Sequence, residues 1–184
     1  MVEAIVEAAA RILETRGLAG FNTNAVAERA GVSVGSLYQY FPSKEALMSA
    51  LSVRERGRLA ADIEAAGRPR AGLSLEESLR RLVRAAIRRQ LARPDLARVL
   101  DFEEQRLVLD ASDRATTGTI AGEVATVLHA HRRSLRLADC EEAAFDLVAL
   151  ARALIDGAAS RGRIEPTALE DKVMRAALGY LRRR

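Results

Sequence analysis

The side chains best suited to chemistry in this sequence lie on a short stretch just before a proline. They are the hydroxyl and amide groups of Ser36, Tyr38, Gln39 and Tyr40. The segment that carries them is too short to form a domain alone. Donors and acceptors of this kind contact base edges or phosphates in the major groove of DNA. A plain helical hairpin explains the same spacing, so the interpretation depends on the elements around the stretch.

Two short helical patterns position these side chains and predict a helix-turn-helix. The first runs from Asn24 to Ala30, and Gly31 follows it. A glycine there favours a turn, because it readily takes the left-handed conformation that ends a helix. Ser33 is predicted to cap the second helix, which runs from Val34 to about Tyr40, by accepting a hydrogen bond from a free backbone N–H group. Leu37 is its predicted inward anchor.

The elements on either side complete a small N-terminal unit. A first helix is expected over residues 2–16, closed by Gly17. Thr23 is predicted to cap the following helix, and its hydroxyl could also bond a phosphate. Ser43 is predicted to cap a fourth helix, and Lys44 lies beside that N-terminus. Its ammonium and the free N–H groups of the helix would together attract one phosphate, although an ordinary solvated lysine fits the same position.

The rest of the chain also has a helical pattern, which predicts an all-α fold of about nine helices. We place a helix-turn-helix domain at residues 1–46 and a second helical domain at 47–184. Gly67, Pro69 and Gly72 mark the clearest linker after the fourth helix. Four of the later helices are expected: one at residues 74–92, one that follows Pro94 and Asp95 and runs to about 109, and two at 113–137 and 141–160. A ninth closes the chain.

Composition and charge restrict the function classes. Cys140 is the one cysteine among 184 residues, and we see no signal peptide and no long apolar run. A reducing cytoplasm and no membrane partner are therefore expected. The net charge is +4 overall, but residues 1–52 hold four basic and five acidic residues. The polar stretch thus lies in a segment of net charge −1, so a few well-placed groups must supply any contact with DNA.

Catalytic and metal-binding patterns are not found. His129 and His131 are two residues apart and would not share a helix face as metal ligands do. Cys140 lies between Asp139 and Glu141, whose charges raise the pKa of a thiol and disfavour a reactive thiolate. No phosphate loop or nucleophile elbow occurs. We therefore predict a protein that is not an enzyme and needs no cofactor or metal.

Two polar residues of the second domain lie on apolar helical stripes, a pattern that also occurs on the walls of small-molecule pockets. Glu103 and His131 each place a polar group on an apolar helical stripe, and such groups orient ligands on a pocket wall. A partly exposed helix edge or a satisfied core histidine accounts for the same pattern. The candidate pocket residues are Gln90, Phe102, Glu103 and His131.

The last two helices are apolar over much of their circumference and need cover on two sides. A four-helix interface between two identical subunits would provide it, as would deep burial within one subunit. The candidate interface residues are Phe145, Val148, Ile155, Leu169, Val173 and Tyr180.

The first fifty residues resemble the TetR family of helical transcriptional regulators. The resemblance is carried by TNAVAERAGVS at 23–33, followed by GSLYQYFPSKEAL at 35–47. Residues 55–184 resemble the family only in the number and length of their helices. The resemblance implies a dimer of all-helical subunits, with a three-helix DNA-binding domain and a C-terminal domain that binds an inducer and dimerises.

The resemblance also assigns roles within the motif. The residues that fall where the family contacts phosphates are Thr23, Tyr38, Tyr40 and Lys44. Those that fall where it approaches bases are Asn24, Val34, Gly35, Ser36 and Gln39. The expected protein is a ligand-responsive repressor that binds a palindromic operator as a dimer and is released by a small-molecule inducer. The alternative is a helical, dimeric small-molecule-binding protein with weak or lost DNA binding.

Overall fold

The computed structural model describes residues 1–68, 70–104, 111–135, 138–162 and 165–182, with the side chains of 101, 102, 104 and 111–116 left aside. Within these residues the regular structure consists of nine α-helices and no strand, which confirms the all-α prediction. The helices are α1 (Val2–Gly20), α2 (Thr23–Ala30), α3 (Val34–Tyr40), α4 (Lys44–Gly67), α5 (Leu75–Ala92), α6 (Pro94–Glu104), α7 (Ala111–Ala130), α8 (Cys140–Ser160) and α9 (Pro166–Arg182).

The helix-turn-helix has the local geometry that its sequence indicates. Gly31 follows α2 with a left-handed backbone (φ 69°), and its N–H donates to the carbonyl oxygens of Ala27 and Glu28. The Ser33 hydroxyl accepts from the backbone N–H of Ser36 at 3.0 Å and so caps α3. Leu37 has no exposed surface and anchors α3 in the core. The predicted bounds of α3 are therefore confirmed.

The start of α2 differs from the prediction by one residue. Asn22, not Thr23, is the cap: its backbone is extended, and its side-chain oxygen accepts from the N–H of Ala25 at 2.9 Å. Thr23 is the first helical residue, which leaves its hydroxyl available for other contacts. The predicted end of α1 at Gly17 is a break in the helix, with φ 59° and ψ −166°, after which one more turn runs to Gly20.

Residues 1–56, together with the described part of 93–108, pack as one compact unit. Its core is formed by apolar side chains of α1, α3 and α4 that are at most 2% exposed, including Ile5, Ile12, Leu37 and Leu47. Leu96 of α6 is 1% exposed and belongs to the same core. This unit therefore extends beyond the boundary at residue 46 and takes in α6.

A second compact unit comprises residues 57–92 and the described part of 109–184. Its core gathers apolar side chains of α5, α7, α8 and α9 around fully or almost fully buried residues such as Leu128, Ala143 and Met174.

Helix α7 ends at Ala130, whereas the sequence pattern predicted a helix to residue 137. The N–H groups of His131 and Arg132 donate to the carbonyl oxygens of Leu128 and His129, three residues earlier, so the chain tightens into turns. The Ser134 hydroxyl donates to the carbonyl of His131 at 2.8 Å and holds this turn. The predicted continuation over 136–137, and that of α6 over 105–109, lie outside the described residues.

Candidate nucleic-acid interface

All nine residues assigned to DNA contact by sequence lie on α2, α3 and the first residue of α4. Thr23 and Ser36 are partly buried, and the other seven are exposed. Tyr38 and Tyr40 are 46% and 45% exposed, which is unusual for aromatic side chains of this size. Because Leu37 is the buried side chain of α3, the rest of this seven-residue helix faces outward.

A hydrogen bond joins the two helices of the motif on this surface. The Thr23 hydroxyl lies 3.2 Å from the phenol oxygen of Tyr38, and either group can donate. The start of α2 and the middle of α3 therefore hold their two hydroxyl groups side by side. Paired hydroxyls of this kind can bond one phosphate together, because each keeps a lone pair or a proton free for the ligand.

The residues assigned to base contact differ in how free their polar groups are. The hydroxyl of Ser36 lies 2.8 Å from that of Ser33, within the cap of α3. Asn24 and Gln39 are exposed, and the described part of the chain shows no hydrogen bond from either side-chain amide. A free amide can donate to and accept from the N6 and N7 groups of adenine. Asn24 and Gln39 are therefore better placed to read bases than Ser36.

Lys44 opens α4, and the local bonds of that helix start are in place. The Ser43 hydroxyl accepts from the N–H of Ala46 at 3.1 Å and confirms the predicted cap. The Glu45 carboxyl has a pKa below its ordinary value, chiefly because of a hydrogen bond with its own backbone N–H, and further because of Ser43 and the Lys44 charge. The exposed ammonium of Lys44 thus lies at a capped helix N-terminus, where positive potential adds to its own charge.

Three acidic residues of the N-terminal segment pair with arginines that lie outside it. Arg54 of α4 bonds Glu3 at 3.1 Å and Glu7 at 3.0 Å. Arg93, just before α6, bonds Glu7 at 3.2 Å and also bonds Glu14. Sequence reasoning missed these pairs because the partners are about forty to ninety residues apart. The charges of these three glutamates are therefore partly offset at short range, with Glu55 sharing both arginines.

These pairs lower the pKa values of the carboxyls. Burial alone raises the pKa of Glu7, but the hydrogen bond and charge of Arg93, with Arg54 and Arg11, bring it below its ordinary value. The pKa of Glu14 is lowered mainly by its hydrogen bond from Arg93. The same contacts raise the pKa of the Arg93 guanidinium. The carboxylates are thus held ionised and paired.

The structure places the described candidate pocket residues on different elements. Gln90 is partly buried on α5 in the second unit, whereas Glu103 is partly buried on α6 in the first. His131 lies in the turn after α7 instead of on a helical stripe, and the side chain of Phe102 lies outside the described residues. A described groove of about 430 Å³ in the second unit includes none of them; its lining residues are Arg84, Ile87, Arg88, Leu91, Ala92, Pro166 and Glu170.

The six candidate interface residues separate into two groups. Ile155, Leu169 and Val173 are 6%, 5% and 2% exposed within the core of the second unit, so one chain already accounts for their apolar character. Phe145 is 51% exposed on α8, and Val148 is partly buried. Tyr180 of α9 is partly buried, and its hydroxyl donates to the Asp146 carboxylate.

Leu150 joins the exposed group although sequence reasoning did not select it for an interface. It is 38% exposed on the same helix as Phe145. A helical stripe of apolar residues is visible in a sequence, but its direction relative to the core is not, which explains the omission.

Other kinds of site find no support in the described part of the chain. The described residues contain no helix long and apolar enough to cross a membrane and no metal-binding cluster of His, Cys, Asp and Glu. Cys140 is buried, and its pKa is raised by that burial and then by Glu141 and Asp139. Its thiol is therefore a poor nucleophile at neutral pH.

An exposed short helix held by a helix-turn-helix, followed by a second all-helical unit, defines the class of helix-turn-helix transcriptional regulators. Residues 5–51 match the family described as bacterial regulatory proteins of the TetR family. Residues 74–181 match the family described as the tetracyclin repressor-like C-terminal domain. The chain belongs to the TetR family. Its family and fold are those of a non-enzymatic regulator.

Curated and structural relatives agree with this assignment. An uncharacterized HTH-type transcriptional regulator of Mycobacterium tuberculosis is 42% identical over 59 residues, which make up 32% of this chain and 29% of that protein. The chain thus matches less than a third of the length of this curated relative.

Solved structures show the same fold over nearly the whole chain. The fatty acid degradation regulator FadR from Bacillus halodurans superimposes with a TM-score of 0.76 at 19% identity, covering 97% of this chain and 98% of its own. The transcriptional regulator FadR from Bacillus subtilis, solved in complex with stearoyl-CoA, gives 0.78 at 16% identity, with 98% and 99% covered. A TetR-like regulator from Rhodococcus sp. RHA1 gives 0.69 at 24% identity, with 99% and 96% covered.

The pairing of Arg93 with two glutamates predicts a pH-dependent loss of stability in Arg93→Met. Glu7 and Glu14 have folded-state pKa values below 4.5, so their stabilisation is complete above that pH and is lost as pH falls through the folded values. At neutral pH we expect the free energy of unfolding in urea to fall by about 1–2 kcal/mol.

The difference between Arg93→Met and the parent protein should shrink when unfolding is repeated below pH 4.5. Arg98→Met is the matched control five residues further along the chain, because Arg98 pairs with Asp95 where both side chains are about 60% exposed. Such a pair contributes little to stability. A loss in Arg93→Met that is equal at all pH values would contradict the ion-pair explanation.

Proposed function

We propose that this protein is a ligand-responsive transcriptional repressor that binds a palindromic operator as a dimer and is released by a small-molecule inducer. The observation that carries the DNA-binding part is the outward face of α3, where Gln39 keeps a free amide beside the exposed hydroxyls of Tyr38 and Tyr40. In a soluble unit, exposed tyrosines and free amides on one short helix fit a polar ligand surface better than a core.

With α3 docked in the major groove of DNA, each polar side chain of the surface would make a different contact. Gln39 and Asn24 read base edges, since amides pair with adenine in a two-bond geometry. The hydroxyls of Thr23 and Tyr38 bond one stretch of the DNA sugar–phosphate backbone. Lys44 and the N-terminus of α4 bond a phosphate. A two-fold dimer would place its two α3 helices in successive major grooves, roughly 34–36 Å apart, which requires a palindrome.

The alternative of a dimeric binding protein without DNA affinity rested on the net charge of residues 1–52. The pairing of Glu3, Glu7 and Glu14 with Arg54 and Arg93 offsets part of that charge, and the exposed polar face of α3 favours contact with DNA. We therefore favour the regulator, acting in the cytoplasm where it meets chromosomal DNA.

Release by an inducer requires a ligand that binds one conformer of the dimer more tightly than the other. We propose that the second unit binds this ligand. Because the Bacillus subtilis FadR of similar fold was solved with stearoyl-CoA, we propose long-chain acyl-CoA as the inducer class.

The DNA assignment predicts different effects for Lys44→Ala and Gln39→Ala. An operator is first selected from a random duplex library with the parent protein, and affinities are then measured by fluorescence anisotropy. Lys44→Ala should weaken binding to all sequences and reduce the slope of log K against log salt by about 1 per subunit. Gln39→Ala should change the preference at one base pair of each half-site by about 1–3 kcal/mol.

Lys172→Ala is the control for Lys44→Ala, because Lys172 is the only other lysine of the sequence and lies exposed on α9. It should leave both affinity and salt slope unchanged. Unaltered binding in both Lys44→Ala and Gln39→Ala would overturn the assignment of this face.

The inducer proposal is tested with stearoyl-CoA on the complex of the parent protein with the selected operator. Saturating stearoyl-CoA should raise the apparent Kd of the operator about 5- to 150-fold, the range of typical allosteric coupling. Free coenzyme A at the same concentration is the control and should have no effect. Operator affinity that does not respond to stearoyl-CoA would exclude acyl-CoA as the inducer.

The dimer proposal is restricted to the exposed side of α8, and Phe145→Asp tests it. A charge placed in an apolar interface would be desolvated without a partner, so we expect a monomer in sedimentation velocity. Val53→Asp is the control, because Val53 is 42% exposed on α4 in the first unit and lies outside the proposed interface. A dimer in Phe145→Asp, or equal dissociation in Val53→Asp, would contradict the proposed interface.

A further inference from the structure

The ammonium of Lys44 lies over an aromatic ring of its own domain. Its Nζ atom is 5.3 Å from the ring centroid of Phe21, in the connection between α1 and α2. This distance is within the range of about 6 Å in which a cation is attracted to the negative face of an aromatic ring. The sequence indicates neither the contact nor its partner, because 23 positions separate the two residues.

Both ends of this contact are fixed by the local structure. The ring of Phe21 is 2% exposed and is part of the core of the first unit, and its backbone N–H donates to the carbonyl of Leu18 at 3.2 Å. Lys44 is the first residue of α4, whose start is capped by Ser43. A fixed ring therefore lies beneath a side chain that begins at a fixed helix end.

We propose that Phe21 is the positioning residue for Lys44 and holds its ammonium beside the N-terminus of α4, where a DNA phosphate then meets a charge already in place. The proposal rests on the proposed function, namely DNA binding through α3 and Lys44. Phe21 does not touch the DNA itself; it acts through Lys44.

The physical argument concerns the entropy of a long side chain. A lysine has four rotatable bonds and loses about 0.5–1.5 kcal/mol of freedom when an interface immobilises it. A ring beneath the ammonium takes over part of this ordering before DNA binds. The ring contacts one side of the ammonium, so N–H donors remain for phosphate oxygens.

The first test uses the free protein and needs no DNA. Protein labelled with ¹³C-lysine gives ε-methylene signals from Lys44 and Lys172 alone, and Lys172→Arg assigns them. A methylene above a ring face is displaced upfield by the ring current, so the Lys44 signal should lie upfield of the Lys172 signal. In Phe21→Leu it should move to the position of a solvated lysine, while the Lys172 signal stays in place.

Phe41→Leu is the matched control for this test. Phe41 is 7% exposed in the same core, so its loss removes a buried ring of equal size but not the ring beneath Lys44. The upfield Lys44 signal should persist in Phe41→Leu. A parent protein without the upfield signal, or equal loss of the signal in Phe41→Leu, would overturn the proposal.

The second test measures binding to the selected operator over a range of salt concentrations. Phe21→Leu should weaken binding about two- to tenfold per subunit, as expected from the ordering of one side chain in each. Its salt slope should equal that of the parent protein, since the same phosphate is still neutralised. Lys44→Met, in contrast, should lower the slope by about 0.9 per subunit.

The double variant separates positioning from general damage to the domain. If Phe21 acts through Lys44, Phe21→Leu should have no further effect on affinity in the Lys44→Met protein. An equal loss in both backgrounds would assign Phe21 a purely structural role. Tighter operator binding by Phe21→Leu would mean that the ring withholds Lys44 from DNA, which is the opposite of the proposal.

A variant that keeps the shape of the ring covers the case in which Phe21→Leu does not fold. Site-specific 3,5-difluorophenylalanine at position 21 weakens the negative face of the ring with little change in volume, and it should lower affinity in the same direction. Failure of the two proposals can be told apart. If no operator can be selected with the parent protein, the proposed function is contradicted. If an operator is selected but its affinity is the same with and without the Phe21 ring, only the positioning role is contradicted.

Discussion

The burial of one side chain, Leu37, is the constraint on which the proposed DNA-binding surface depends. Helix α3 has seven residues, and a helix of this length is not stable in water by itself. Leu37, with no exposed surface, joins it to the core of the first unit. Gly31 and Ser33 then fix where the helix begins, so every other side chain of α3 is free to face outward.

The proposed surface also requires that the glutamates of the first helix be paired with cations. Arginines outside the helix-turn-helix provide this pairing. The first helix carries Glu3, Glu7 and Glu14, which would repel a phosphate backbone if they were unpaired. Arg54 and Arg93 pair with these glutamates and are themselves only 11% and 16% exposed. The inclusion of α6 in the first unit thus has an ionic as well as an apolar basis, because Arg93 lies directly before it.

Local signals in the sequence were sufficient to predict the helix-turn-helix. The long-range contacts of the fold were not predictable from the sequence. Gly31 and Ser33 act through neighbours at most four residues away, so their roles follow from local physical chemistry. The end of α7 was missed because Leu135 continues the helical spacing of Leu128 in the sequence. The hydrogen bond from the Ser134 hydroxyl to the His131 carbonyl, which holds a turn there, is not visible in that spacing. The buried side of α8 was not distinguishable from its exposed side, since Ile155 and Phe145 are similarly apolar.

The polar groups on this surface are held in place before binding, which compensates for the small number of cations among them. Residues 1–52 contain four cations, and Arg11 is paired with Glu7 and Glu14. A domain with so few free cations gains little from counterion release when it binds DNA. Its affinity for DNA must therefore come from groups that lose little conformational freedom on binding. The Thr23–Tyr38 hydrogen bond and the placement of Lys44 above Phe21 both reduce that loss. In the proposed complex, preorganisation is therefore the physical means by which a domain of net charge close to zero binds a polyanion.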